Sequence, residues 1–175
     1  MVLDNERKKF IGFLNKNDLI LDMGCGLGND VKFFINNGFR CIGIDNSKGM
    51  LRRAKKIAPD GNFKEMDMRA LKFDDRYFDA VWSKASLMHL PKSMIKSALS
   101  EVKRVLKKKG IFFLSLREGT GEKIEKIKRY DNNPRFFSYF KEDEIKRYLK
   151  GFNIIEISRY DTYACRWIAV FCRKA

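Results

Sequence analysis

The chain of 175 residues reads as a single α/β domain, a mostly parallel sheet with helices on both faces and a C-terminal antiparallel hairpin. Three observations predict this. Short apolar runs alternate with helix-period segments from Leu19 to Leu116, the pattern of strands joined by helical crossovers. Residues 111–116 form an almost continuous apolar run, as expected of a strand covered on both faces. Residues 152–158 and 163–173 read as strands too closely joined for a helical crossover, so they pair antiparallel at one edge.

Each element has a local reason. Residues 4–14 form an amphipathic helix presenting Phe10, Phe13 and Leu14, and residues 19–23 a buried strand. A helix over 28–37 turns Val31, Phe34 and Ile35 inward and stops at Gly38. Residues 40–45 are the second strand. Ser47 then caps a helix carrying Met50, Leu51, Ala54 and Ile57, and Pro59-Asp60-Gly61 turns into a short third strand at 62–66. After a fourth strand at 77–83, Ile95, Ala98, Leu99, Val102, Val105 and Leu106 recur at helical spacing over 92–107. Lys107, Lys108 and Lys109 are expected at the end of that helix, where its dipole favours cations, with Gly110 as the stop. Residues 117–140 are polar, glycine-containing and then aromatic, and a helix over 141–150 precedes the final strand pair.

The length suits one domain, residues 1–175, burying roughly 70% of the unfolded surface. A content of 45% apolar and 34% charged residues describes a globular chain. No apolar run approaches the ~20 residues of a membrane helix, and the start, MVLDNERKKF, lacks a secretory apolar stretch. A cytoplasmic location without membrane association is the expectation. Cysteines 25, 41, 165 and 172 form no CxxC pair, and His89 is the lone histidine, so reduced thiols and no metal site are expected. The 37 basic and 22 acidic residues leave a net charge of +15, which attracts phosphate-rich partners. The lysines are nevertheless scattered over nearly every helix, as in a proteome that simply favours lysine.

The chemistry concentrates at Leu21–Gly28, LDMGCGLG. In an open parallel sheet, ligands bind beyond the carboxyl ends of the strands, where the first glycine loop lies. Gly24, Gly26 and Gly28 let the backbone approach a ligand, and the following helix offers free N–H groups. A dinucleotide fingerprint would need glycine or alanine at 29, where the chain has Asn29. Asp22 is a poor neighbour for a pyrophosphate and a good one for the amino group of a cationic amino-acid ligand. Asp45 ends the second strand, where a carboxylate accepts both hydroxyls of a ribose. Asp67, just past the third strand, can bond the exocyclic amine of an adenine, with Met68 and Met50 nearby. Three acids after three successive strands weigh more than any one.

Taken in order, LILDMGCGLG, GIDNS, EMDM, FDAVWSKASLMHL and LKKKGIFFLSL resemble the motifs of class I S-adenosylmethionine-dependent methyltransferases over about residues 18–117. The resemblance implies a Rossmann-like, seven-stranded sheet. It implies S-adenosylmethionine as cofactor, with S-adenosylhomocysteine as product, held by Asp22, Gly24, Cys25, Gly26, Gly28, Asp45, Asn46, Met50, Asp67, Met68 and Ser83. Residues 83–86 would lie between the methionine end of the cofactor and the acceptor.

The acceptor is less constrained. Methyl transfer from a sulfonium needs an in-line nucleophile about 3 Å away, so positioning supplies much of the acceleration and a base is optional. His89 is the candidate base, with a packed helix-start histidine as the alternative reading. Lys84 and Arg117 are candidates to hold an acidic acceptor, with surface solvation as the alternative. Residues 117–140 should form a lid beside the cofactor mouth. Lys123, Lys126, Lys128 and Arg129 with the aromatics of YDNNPRFFSYF suit a nucleic-acid backbone and stacked bases, or else Phe136, Phe137 and Phe140 anchor the last helix. Arg135 to Phe140 and Arg166-Trp167 also loosely resemble the tail of transfer-RNA wobble-uridine methyltransferases, which have arginine-tyrosine-tyrosine-histidine where this chain has Arg135-Phe136-Phe137-Ser138. The same tail is similar to small methyltransferases acting on metabolites. RNA bound through a basic surface is thus the first expectation and a small-molecule acceptor the second. An accessory subunit or homodimer could complete an open site, and a non-catalytic cofactor-binding module remains the alternative from another class.

Overall fold

The computed structural model describes residues 2–126, 133–162 and 165–175. Helix α1 (Val2–Ile11) precedes β1 (Leu19–Met23), α2 (Asn29–Asn36), β2 (Arg40–Asp45), α3 (Lys48–Ile57) and β3 (Asn62–Glu65). Then come β4 (Phe78–Lys84), a 3-10 turn (Leu87–His89), α4 (Lys92–Val105) and β5 (Leu106–Arg117). The chain continues with β6 (Glu122–Lys126), β7 (Pro134–Ser138), α5 (Glu142–Tyr148), β8 (Phe152–Asp161) and β9 (Arg166–Lys174).

Seven strands form one sheet in the order β3-β2-β1-β4-β5-β9-β8. The first five are mutually parallel, and β9 runs antiparallel to both β5 and β8. Strand order reverses between β1 and β4, so the crevice for a ligand opens at the carboxyl ends of those strands. One face of the sheet is covered by α1 and α2, where Phe10, Phe34, Trp82, Phe113 and Phe171 pack together. Trp82 stacks on Phe113 with ring centroids 3.9 Å apart. Each such ring contributes about 1.5–3 kcal/mol through burial, so α1 is held as part of the core. The opposite face packs α4, α5 and the 3-10 turn over Val81, Phe112, Leu114 and Val170.

One expectation is corrected. Helix α4 ends at Val105, and Lys107–Lys109 belong to β5. Leu106 is already extended, Lys107 pairs with Asp79 at 2.6 Å, and Lys109 takes a positive φ of 61°. Gly110 is therefore a close-approach glycine: a Cβ there would lie 2.8 Å from the Asp79 carbonyl. Cross-strand pairing outweighs the helix dipole at this point. In the expected lid, β6 and β7 form a separate antiparallel ribbon, with Lys123 opposite Phe137 and Lys126 opposite Pro134. Phe137 and Phe140 are 1% and 0% exposed and Phe140 packs on Tyr148 of α5, so of the two readings these rings follow the one in which they anchor the last helix to the core. Phe136 is half-buried. Lys128 and Arg129, also assigned to the lid, lie outside the described residues, as does the expected start of β9 at 163.

Candidate active site

The loop after β1 is set by backbone bonds to its neighbour β2. The N–H groups of Gly24 and Cys25 both donate to the Ile44 carbonyl at 2.8 Å, which folds the loop back over the end of the sheet. Gly24 has φ 80°, and a Cβ on it would meet the Ser86 Cβ at 2.3 Å. Gly26 has φ 52° with nothing within 4 Å of a Cβ, so its bare backbone faces open space beside the crevice. Gly28, at φ 76°, enters α2 as its N-cap. Cys25 is buried, and desolvation holds its thiol far above the usual range, so it serves through its backbone.

On one side of this loop lies a cleft lined by Gly24, Asp45, Asn46, Met66, Asp67, Met68, Arg69 and Leu90. Asp45 accepts from the Gly26 N–H at 3.0 Å and the Ser47 N–H at 2.9 Å, so the acid ending β2 also braces the glycine loop. Ser47 caps α3 as expected, accepting from the Met50 N–H at 3.3 Å. Met50 itself lines an adjoining groove with Ser47, Gly49, Arg52, Arg53 and Lys56, not the cleft. Asp67 is in the cleft but already clasped: Arg69 Nε reaches Oδ1 at 2.9 Å and Nη2 reaches Oδ2 at 2.5 Å. These hydrogen bonds pull the Asp67 carboxyl below its usual range. Arg69, two residues on, carries no motif signal in the sequence, since an arginine after an acid is ordinarily solvated, yet here it is half-buried.

On the other side the expected residues divide. Asp22 is 2% exposed, and its Oδ2 has no hydrogen-bond partner. Burial first, and then the neighbouring Asp30, raise its carboxyl well above the usual range. Lys84 pairs with Asp30 at the start of α2, as does Arg7 of α1. Its amine is thereby engaged in an internal ion chain instead of facing an acceptor. Ser83 is fully buried and bonds Ser86 Oγ at 2.7 Å, and Ser86 donates to the Met23 carbonyl at 2.7 Å. This relay ties the turn after β4 to the end of β1, so Ser83 positions the loop from beneath.

His89 closes the 3-10 turn, and its Nδ1 lies 2.9 Å from the Phe136 carbonyl of β7. A carbonyl only accepts, so Nδ1 carries the proton and Nε2 is the lone-pair nitrogen. Burial lowers the histidine pKa, outweighing the carbonyl that raises it, and Arg135 and Arg117 lower it further. Asp45, the last of these influences, raises it, and Arg117, one of the two arginines that lower it, ends β5. There Arg117 is stacked on the Phe137 ring at 3.9 Å and bonds Glu125 at 2.9 Å and the Tyr139 hydroxyl at 3.2 Å. Tyr139 in turn donates to Glu125. Among the described residues no group of three or more histidine, cysteine or acidic side chains is arranged for a metal ion.

The arrangement has counterparts in known proteins. The model of a methyltransferase domain family matches residues 20–110. The chain belongs to that family. A probable methyltransferase of Aspergillus luteorubrus is 34% identical over 122 residues, 62% of this chain and 43% of that protein. The 2-methyl-6-phytyl-1,4-hydroquinone methyltransferase of Synechocystis is 33% identical over 100 residues, 55% of this chain and 31% of that protein. The chain thus spans less than half the length of these relatives. Among solved structures, a SAM-dependent methyltransferase of Methanosarcina mazei superposes with a TM-score of 0.84 at 21% identity, covering 93% of this chain and 95% of the other. That likeness extends the shared fold to the C-terminal hairpin. Within this methyltransferase domain the glycine loop, Asp45 and the cleft occupy one end of the sheet, and the 3-10 turn with His89 packs against β7.

Proposed function

We propose that this protein transfers the methyl group of S-adenosylmethionine to an RNA acceptor. One observation carries the cofactor assignment: the carboxylates Asp22, Asp45 and Asp67 lie at or just past the carboxyl ends of three successive parallel strands around a bare glycine loop. The buried, unpartnered Oδ2 of Asp22 and the open space over Gly26 fit a ligand that carries a cation on one side and a ribose on the other. When bound, the cofactor supplies an electrophilic methyl group on a sulfonium.

The chain's own residues do the remainder. The Gly24–Gly28 backbone lets the ligand approach closely, Asp45 accepts ribose hydroxyls, and Asp22 faces the ammonium. His89, neutral and protonated on Nδ1, takes onto Nε2 the proton that an N–H or O–H acceptor sheds. RNA as acceptor is supported by the groove beside the cleft, where Arg52, Arg53 and Lys56 are exposed and no carboxylate among the described residues pairs with them. The net charge of +15 acts in the same direction.

A small-molecule acceptor is the second reading, favoured by the linked Arg117, Glu125 and Tyr139 beside Phe137, on which His89 packs, and by the hydroquinone named for one relative. Extract incubated with methyl-labelled cofactor and separated into RNA, protein and metabolites decides between them. Label in RNA, with binding that weakens as salt rises, is the expected result; label confined to metabolites overturns the RNA acceptor. Cofactor binding with no labelled product in any fraction would instead identify a non-catalytic module.

A further inference from the structure

Helix α3 carries five basic residues and no acid in its ten positions. The five divide by what they touch. Lys48 pairs with Glu65 at 3.7 Å, and Lys55 donates to the Gly61 carbonyl at 2.9 Å. Arg52, Arg53 and Lys56 are exposed, and among the described residues no hydrogen bond or ion pair engages their side chains. These three are also the ones that line a groove of about 470 Å³, together with Ser47, Gly49 and Met50. Ser47 joins the groove to the cofactor cleft, because its N–H donates to Asp45 at 2.9 Å.

Positions 49, 52, 53 and 56 share one face of a helix, with 52 and 56 about 6 Å apart along its axis. Arg52 and Lys56 are therefore like charges at i,i+4, a mildly unfavourable pair until an anion lies between them. Gly49 opens the same face. Its φ is not positive, and a Cβ there would meet only Ser47 Oγ at 3.7 Å and Arg52 Nη2 at 4.0 Å, both ordinary contacts. Neither backbone nor packing requires glycine at this point, and glycine is a poor helix former. What the missing side chain does is leave room in the groove.

The lining indicates the occupant. It holds no carboxylate and no aromatic ring, and Met50 is its one apolar side chain. A protein partner would call for an apolar or aromatic centre to the contact, and reading of unpaired bases would call for stacking rings. A row of phosphates needs only cations at regular spacing, and guanidinium forks bind phosphate with two parallel hydrogen bonds.

We propose that the α3 groove is a backbone-binding site separate from the cofactor cleft, in which Arg52, Arg53 and Lys56 hold successive phosphates of the acceptor RNA. This rests on the RNA reading above. Phosphate contacts position a strand without specifying its bases, so the groove takes RNA of any sequence, with or without cofactor, and sets it beside the cleft.

Fluorescence anisotropy of a labelled, mixed-sequence, single-stranded oligoribonucleotide tests this with two triple variants of equal charge. One is Arg52→Gln, Arg53→Gln and Lys56→Gln; the other is Lys96→Gln, Arg147→Gln and Lys150→Gln, exposed residues on α4, on α5 and just after α5, helices that cover the opposite sheet face. The groove variant should bind at least about tenfold more weakly, and its plot of log affinity against log salt should be shallower by about two, as three lost single-strand phosphate contacts require. The second variant should change affinity less than about threefold, and both should keep wild-type melts and S-adenosylhomocysteine affinity. Gly49→Glu gives an independent readout: a carboxylate in the first turn favours the helix, so the melting temperature holds or rises while RNA binding falls.

Equal losses in the two triple variants would reduce the effect to net charge and overturn the proposal, as would unchanged RNA binding by Gly49→Glu. Polyglutamate that competes as well as RNA would make the occupant an acidic protein surface, and loss of S-adenosylhomocysteine from the groove variant would give the groove to the cofactor; either result ends the proposal. Methyl label in RNA with undiminished binding by the groove variant leaves the RNA reading standing and removes this site. Wild-type protein that binds no RNA even at low salt removes both.

Discussion

The two sides of the glycine loop differ in how completely their polar groups are satisfied. Toward the cleft, Asp45 holds the Gly26 and Ser47 N–H groups and Asp67 is clasped by Arg69, so both acids have partners before any ligand arrives. Away from the cleft, Glu6 and Asp22 are buried with oxygens unpartnered, and His89 keeps a lone-pair nitrogen on Nε2. A satisfied network is rigid and adds geometry; an unsatisfied one stores an electrostatic need that a ligand can meet. The first side should therefore tolerate substitution better than the second.

The largest effect is expected at His89. His89→Gln should lower kcat by about 10²-fold or more while S-adenosylhomocysteine affinity is retained, read by initial rates and calorimetry once a labelled acceptor is in hand. Because burial lowers its pKa, the wild-type rate should hold as pH falls to 6.5 and decline only below it, where the ring gains a second proton. A decline centred above 6.5 would show that another group is the base.

Gly24→Ala comes next, since it strains a φ of 80° and drives a Cβ onto Ser86. A loss of about 2–4 kcal/mol in stability is expected from thermal melts, together with loss of cofactor binding. Normal binding would mean that the β1 loop yields more readily than its hydrogen bonds imply.

Asp45→Ala should weaken S-adenosylhomocysteine about 10- to 100-fold, since two hydroxyl bonds to a carboxylate and the brace on Gly26 are lost together. Unchanged affinity would refute the ribose assignment. Arg69→Ala should have the smallest effect, a tightening of less than about threefold, because its pair with Asp67 is solvent-exposed and screened. A tenfold change in either direction would make Arg69 a gate on the cleft and erase the contrast between the two sides.

How much of this was legible in the sequence follows from the range of the interactions. The glycine loop, Ser47 as a cap and the acids ending successive strands are local patterns, and they stand where the spacing places them. The Lys107–Lys109 run misled because a helix C-terminus and a strand edge accommodate the same lysines, and only the pairing of β5 with β4 chooses. Met50 and Ser83 bear on the cleft from a neighbouring groove and from beneath, which motif position alone does not distinguish. Glu6 gave no signal, for one acid in a charged amphipathic helix looks solvated until that helix is packed onto the sheet. Phe137 and Phe140 could have faced bases or core, and burial assigns them to the core.

By itself, the sequence determined the order of strands and helices, the glycine loop with its acids, and hence the methyltransferase domain, because these depend on short-range periodicity and backbone freedom. Only the tertiary structure decided which carboxylates are partnered. Arg69 closes on Asp67 two residues away, whereas Lys84 reaches Asp30 and His89 reaches Phe136 across 54 and 47 positions. Electrostatic need is a property of groups brought together in a low-dielectric interior, and the chain must fold before that need exists.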